Sequence, residues 1–496
     1  MAIVALDQGT TSSRTVIFDA HGIPISQQNR TYTQIFPQPG WVEHDPSEIL
    51  MSQLSTLRQA LASAQMRAQD VSVLGITNQR ETVIVWDRET GRPIYNAIVW
   101  QCRRTADRMK RLQEDGLGPM IAEKTGLPLD AYFSASKLQW ILDHVPDARQ
   151  MAKDGRLLCG TVDTWLLWSL TGGKTHATDH TNASRTMLYN LHTHAWDPDL
   201  LDLFGIPQEM LPQILPSSAA YGVTDGDLVG SEIPIGGVAG DQQSALFGQC
   251  CFAPGEAKNT YGTGCFLLMN TGETPLLSKQ GLITTMAATR EGEPFQYVVE
   301  GSIFVAGAAV QWLRDELHLI DSAAQTEALA LSAPDSGGVV LVPAFTGLGA
   351  PYWDMYARGT LLGITRGTGR AHIARATLES IALQTYDVLD VMQKETGIEL
   401  SSLRVDGGAS ANGFLMQTQA DLLNKSVIRP KVLETTALGA AYLAGLAAGI
   451  WKSTDELREF WELDDTFVPQ ISEQVRARQI HLWHRAVERA RSWAEE

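Results

Sequence analysis

The stretch Asp7-Gln8-Gly9-Thr10-Thr11-Ser12-Ser13-Arg14 places a carboxylate, a bare glycine, four hydroxyls and an arginine between two apolar runs, a set suited to holding a polyphosphate. Gly9 lets backbone N–H groups approach phosphate oxygens, and Thr10, Thr11 and Ser12 donate to them. Asp7 offers oxygen to Mg²⁺, and Arg14 offsets negative charge. An ordinary polar turn is the plain alternative. The pattern is echoed by Tyr261-Gly262-Thr263-Gly264, and a third glycine-bearing element, residues 404–412, runs from a strand towards a helix N-terminus, a favourable contact for an anion or nucleoside.

The elements that must carry these residues follow from periodicity. Residues 3–6 and 15–18 read as strands, which makes the first motif a hairpin turn rather than a strand-to-helix phosphate loop. Asp45-Pro46-Ser47-Glu48 predicts a capping box opening a helix to about Ala64. Strands follow over 71–77 and 82–86, with Asn78-Gln79-Arg80-Glu81 expected to be exposed between them. Helices are predicted over 105–113 and 134–144, and a strand over 233–239. The second Gly/Thr turn lies between strands 256–260 and 265–268. Two such turns, one near the start of each half, predict two related α/β domains, 1–249 and 250–496, clasping a nucleotide in the cleft between them.

Composition narrows the partners. The 496 residues, 44% hydrophobic and 19% charged, supply ample core for a globular protein. A net charge of -17 argues against nucleic acid or an anionic membrane, so anionic ligands must be met locally. Five cysteines without zinc spacing suggest reduced thiols and a cytoplasmic setting, and residues 1–7 lack the basic start of a signal peptide. The uncharged run 435–451 is too short for stable membrane insertion. Its Gly445-xxx-Gly449 pair predicts a buried helix in close contact with another. His176 and His180 lack the glutamate of a zinc-protease helix, and the run 473–496 suits an amphipathic surface helix.

Together these features resemble the FGGY carbohydrate kinases, whose fold is the two-domain, ribonuclease H-like architecture of actin and the heat-shock ATPases. Residues 132–144 are similar to one family signature. Residues 359–364, with His372-Ile373 and Ala376-Thr377-Leu378-Glu379, are similar to another. Residues 40–45, 75–82, 96–101, 181–185 and 240–243 resemble the glycerol-phosphorylating members in particular. The resemblance implies ATP- and Mg²⁺-dependent phosphorylation of glycerol to sn-glycerol 3-phosphate in glycerol catabolism, with domain closure, by a homo-oligomer of two or four copies. It implies that Arg80, Glu81, Tyr132, Asp241 and Gln242 hold the polyol between Trp100 and Phe266, and that Gly307, Gln311, Gly408 and Asn412 complete a nucleotide site with Thr263. Without the resemblance, Arg80 and Glu81 would read as a solvated charge pair and the two aromatics as core. Asp241, after a strand ending at Gly240, is the expected general base, a role compatible with capping a helix. Alternatives are a family member acting on another small polyol or ketose, and a chaperone or filament subunit on the same fold. Some relatives are inhibited by fructose bisphosphate at a basic loop before the catalytic Asp, and others are activated by histidine phosphorylation nearby. Here residues 224–232 hold three carboxylates and no Lys or Arg, and no histidine lies between His194 and His318, so neither response is expected.

Overall fold

The computed structural model describes residues 1–495. The first hairpin forms as predicted: Ala2–Gln8 pairs antiparallel with Ser12–Phe18, Gln8 standing opposite Ser13. Its apolar run is continuous because both faces are covered. Val4 and Leu6 pack with Ile49, Leu54 and Leu57 of the helix Pro46–Ser63, while Ile3 and Ala5 pack with Ala437, Ala440 and Ala441 of the helix Thr435–Ala447. The Asp45 cap is present, accepting from Ser47 N at 2.8 Å, but the capping box is not closed. Glu48 accepts instead from Thr33 N and Oγ1, both at 3.1 Å, because the strand Pro24–Thr31 delivers Thr33 beside the helix.

Two sheets repeat one topology. The six-stranded sheet runs Ser218–Val223, Pro234–Gly240, Val71–Asn78, Ala2–Gln8, Ser12–Phe18, Pro24–Thr31, so an antiparallel three-strand meander is followed by parallel strands. The seven-stranded sheet repeats this with the meander Glu256–Tyr261, Cys265–Gly272 and Tyr297–Ile303 followed by parallel Ser402–Asp406 and Val427–Pro430. Parallel register decides where the loops emerge. Gln8 pairs with Asn78, and Asn78 with Gly240, so the turn after Gln8, the joint after Asn78 and Asp241 leave one end of the first sheet. Thr260 pairs with Asp406, which brings the second turn beside Gly407. Ligands of open α/β sheets gather at such carboxyl ends.

The helices Asp241–Gly248 and Thr435–Ala447 link the halves. The first packs on strands Glu256–Tyr261 and Cys265–Gly272, and the second covers the first sheet although it lies late in the chain. They touch through Gly248 and Gly439: a Cβ on Gly439 would stand 1.8 Å from Ser244 O, and one on Gly248 2.1 Å from Thr435 O. The close helix contact expected at Gly445 and Gly449 is therefore made elsewhere. Gly445 backs onto the Trp451 ring, and Gly449, past the helix end at φ 68°, meets nothing. The C-terminal helix Glu473–Ala490 sends Trp483, Ala486 and Val487 into the second core, and Glu496 lies outside the described residues. The five cysteines are free and buried. No described helix is long and apolar enough to cross a membrane.

Candidate active site

The first turn is held from behind. Gly9 N donates to Ser12 O at 3.0 Å. Tyr32 Oη contacts the Gly9 and Thr10 carbonyls at 2.6 and 2.7 Å, and Gln79 Nε2 donates to Gly9 O at 3.1 Å. With the carbonyls tied back, the N–H groups of Thr10 and Thr11 have no protein acceptor among the described residues, the arrangement an anion requires. Ser12 is half-buried where the second strand begins. Arg14 is already engaged, its guanidinium paired with Glu434 at the start of the helix Thr435–Ala447, so it also ties the hairpin to the second half of the chain.

Asp7 is the last residue but one of the strand Ala2–Gln8, beside this turn. Burial pushes its carboxyl up to about 7, Arg14 opposing while Asp241 and Glu434 add to the rise. Its carboxylate makes no hydrogen bond or ion pair. Two carboxylates sharing a field, one without a partner, fit a divalent cation that takes one or two carboxylates and completes its shell with phosphate and water. Among the described residues no cluster of three or more His, Cys, Asp or Glu could hold a metal by itself.

Asp241 is the first residue of its helix rather than the cap, which is Gly240. Its Oδ1 accepts from Gln242 N at 2.7 Å and lies 3.1 Å from Arg80 Nε, leaving Oδ2 without a protein partner. Gly240 is required for this approach, since a Cβ there would come within 2.8 Å of Arg80 Cγ and Cδ.

The joint expected to be exposed is buried: Arg80 is 3% and Glu81 1% accessible. The reason is a chain of alternating charges that crosses the cleft. Arg80 donates from Nη1 and Nη2 to the two oxygens of Glu300 at 2.6 and 2.8 Å, Arg185 Nη1 lies 3.4 Å from Glu300 Oε2, and Arg185 Nε pairs with Glu81. Arg80 and Glu81 thus serve other partners, not each other. Burial would raise the Glu300 carboxyl, but Arg185 and Arg80 hold it down to about 2. Burial raises Glu81 in spite of Arg185. Glu81 sits at φ 60°, a left-handed conformation costing about 1–3 kcal/mol, and Ser134 Oγ ties down its carbonyl at 3.0 Å.

Aromatic walls flank the chain. Trp100 and Tyr132 meet edge to face at 5.4 Å, Trp100 Nε1 donates to Thr10 Oγ1 at 2.9 Å, and the Arg185 guanidinium lies 5.2 Å over the Tyr132 ring. Phe266 is a diagonal neighbour of Glu300, which pairs with Leu268. Gln242, 7% exposed, accepts on its side-chain oxygen from Lys258. Thr263, Gly307, Gln311, Gly408 and Asn412 line one cavity of about 400 Å³ together with Val310, Leu378 and Ile381. Asn412 caps the helix Gly413–Leu423, accepting from Leu415 N at 2.9 Å. A 3₁₀ turn, Gly408–Ala411, precedes that helix, so the third glycine element enters it less directly than its sequence suggests.

Sequence reasoning missed Glu300, Lys258 and the part of Arg185. Arg185 closes one of the quoted motifs. Glu300 had a usable signal, a lone carboxylate ending the apolar run Tyr297-Val298-Val299, and such a residue is buried only when paired. Lys258, in the polar strand Glu256–Tyr261, offers no such signal.

The comparisons extend this geometry along the chain. The model of the FGGY family of carbohydrate kinases matches residues 2–248 with its N-terminal domain and 257–448 with its C-terminal domain. Glycerol kinase of Symbiobacterium thermophilum is 61% identical over 494 residues, covering 100% of this chain and 99% of the relative. Glycerol kinase 2 of Thermotoga maritima is 58% identical, covering 99% of each. The crystal structure of Plasmodium falciparum glycerol kinase with ADP superposes with a TM-score of 0.93 at 38% identity, covering 99% and 98% of the two chains. A xylulose kinase from Lactobacillus acidophilus, at 22% identity and a TM-score of 0.87 over 98% and 97%, shares the fold. With the duplicated sheet topology and both halves matched, the chain belongs to the FGGY family of carbohydrate kinases.

Proposed function

We propose that the protein transfers the γ-phosphoryl group of ATP to glycerol, giving sn-glycerol 3-phosphate and ADP, as the name of relatives up to 61% identical implies. The observation that carries the reading is Asp241, a carboxylate with Oδ1 saturated by Arg80 and Gln242 and Oδ2 open, set where the phosphate-suited turn meets the buried charge chain. A polyol needs paired hydrogen-bond partners and an apolar wall. Arg80, Glu81, Tyr132, Asp241 and Gln242 supply the first, Trp100 and Phe266 the second.

In this mechanism Oδ2 of Asp241 takes the proton of the attacking hydroxyl, whose oxygen bonds to the γ-phosphorus. The bridging oxygen leaves with its electron pair on ADP. The N–H groups of Thr10 and Thr11, with the hydroxyls of Ser12 and Thr263, hold phosphate oxygens, and Arg14 adds positive charge. Asp7 would hold Mg²⁺, which when bound neutralises charge on the phosphates. The nucleoside occupies the cavity of Thr263, Gly307, Gln311, Gly408 and Asn412. Closure of the two halves excludes water from the phosphoryl donor. We divide those halves at 249/250, and place the protein in the cytoplasm on its buried free thiols.

The test is an ADP-release assay with glycerol, dihydroxyacetone, xylulose and no acceptor. Glycerol should give the highest kcat/KM. Xylulose outrunning glycerol, or equal ADP release without acceptor, would overturn the assignment.

A further inference from the structure

Lys258 stands on the strand Glu256–Tyr261 of the second half, wholly buried, and reaches across to the first residues of the helix Asp241–Gly248. Its ammonium donates to Gln242 Oε1 and, at 2.8 Å, to Thr260 Oγ1. An ammonium has donors and no acceptor, so the oxygen of the Gln242 amide must face it. The NH₂ of Gln242 is left without a protein partner, one residue from the Asp241 carboxylate.

We infer that Lys258 is a positioning residue that locks the Gln242 amide with its donors towards the acceptor, and so aims the proton of the attacking hydroxyl at Asp241. The inference rests on the placement of Gln242 and Asp241 at the polyol. A hydroxyl oxygen carries one proton and two lone pairs. Accepting from Gln242 occupies one lone pair, donation to Asp241 Oδ2 directs the proton, and the remaining lone pair faces the γ-phosphorus. In the flipped orientation the amide oxygen would compete with Asp241 for that proton, and Lys258 would face an NH₂ group. Asp406, Asp241, Glu300 and Arg80 are the charges that act on Lys258, and direct contact of its ammonium with a transferred phosphoryl group is the competing role.

A double-mutant cycle separates the two. Lys258→Met should lower kcat with glycerol about tenfold to a hundredfold, leaving KM for ATP within about twofold. In a Gln242→Ala background the same change should cost less than about twofold more, because residues acting through one another are not additive. Lys258→Gln, which keeps a neutral donor, should recover part of the loss. It also replaces Lys258→Met in the cycle should the methionine variant fail to fold, as judged by thermal melting and calorimetric binding of ADP. An equal fold-loss in both backgrounds, a raised KM for ATP, or no loss at all would overturn the inference. A Gln242→Ala enzyme with native glycerol kinetics would overturn the placement of Gln242 itself, a separate result.

Discussion

The proposed acceptor side and the proposed nucleotide side are built by the same sheet topology from different materials. On the acceptor side, Arg80, Glu81, Arg185 and Glu300 are each buried and paired with one another. On the other side, a cavity of about 400 Å³ is lined mostly by glycines, short polar side chains and aliphatics, with Arg314 and Glu327 as its charged members, and Thr263, Gln311 and Gly408 are exposed. The difference teaches how the work is divided. Removing a charge from water costs several kcal/mol unless it is paired, so the acceptor pocket carries charges that hold one another in place and present a fixed geometry to the ligand. A nucleotide brings its own charge and surface, and needs shape plus a few donors.

Breaking the network should give the largest effect. Arg80→Ala strips Glu300 of its bidentate partner and Asp241 of its Nε contact, while Glu81 keeps Arg185. Loss of one member of a buried pair costs about 3–5 kcal/mol, so urea unfolding should show a destabilisation of that order, and glycerol kcat/KM should collapse. An unchanged kcat/KM would show that the two sides do not differ as described.

Asp241→Asn comes next and sharpens the comparison by touching chemistry alone. The amide preserves shape but cannot take a proton, so kcat should fall about 10²–10⁴-fold while ADP binding by calorimetry stays native. Near-native turnover would remove Asp241 from the base role.

A smaller effect is expected on the nucleotide side from Asp7. Its folded pKa, about 7, lies above the unfolded 3.8. The stabilisation associated with its protonated form is therefore full below 3.8 and lost as pH rises through 7. A cation competes with that proton, so Mg-ADP affinity should weaken as pH falls from 8 to 6, and Asp7→Asn should flatten the profile. An identical pH dependence in the variant would exclude Asp7.

The smallest expected effect is none. Residues 224–232 form a short turn of helix, Gly226–Val229, with Asp225 capping Asp227 N at 2.9 Å. Among the described residues, the cation hydrogen-bonded to it comes from elsewhere in the chain, Arg58 donating to Leu228 O at 3.1 Å. Three carboxylates should still repel a bisphosphate, and kcat should be unchanged by fructose bisphosphate at low and high enzyme concentration. Incubation with a histidine phosphocarrier protein should likewise leave it unchanged. Saturable inhibition would show that Arg58 outweighs the loop's own charge.

By itself, the sequence determined what local patterns can specify. The hairpin around Gly9 was legible because two apolar runs flank a polar turn, and the helix Ser134–His144 because its apolar positions repeat at helical spacing. Thr263, Gly307, Gln311, Gly408 and Asn412 could be singled out only through the resemblance, and they line one cavity. Tertiary structure alone decided the partners. Arg80 and Glu81 are adjacent in the chain and read as a pair, yet their counter-ions are Glu300 and Arg185, more than a hundred residues away. The glycines that bring two helices together, Gly248 and Gly439, are likewise distant in sequence. Periodicity reports which face of an element is buried, because burial repeats with the backbone. It carries no record of which charge, far along the chain, will make that burial affordable.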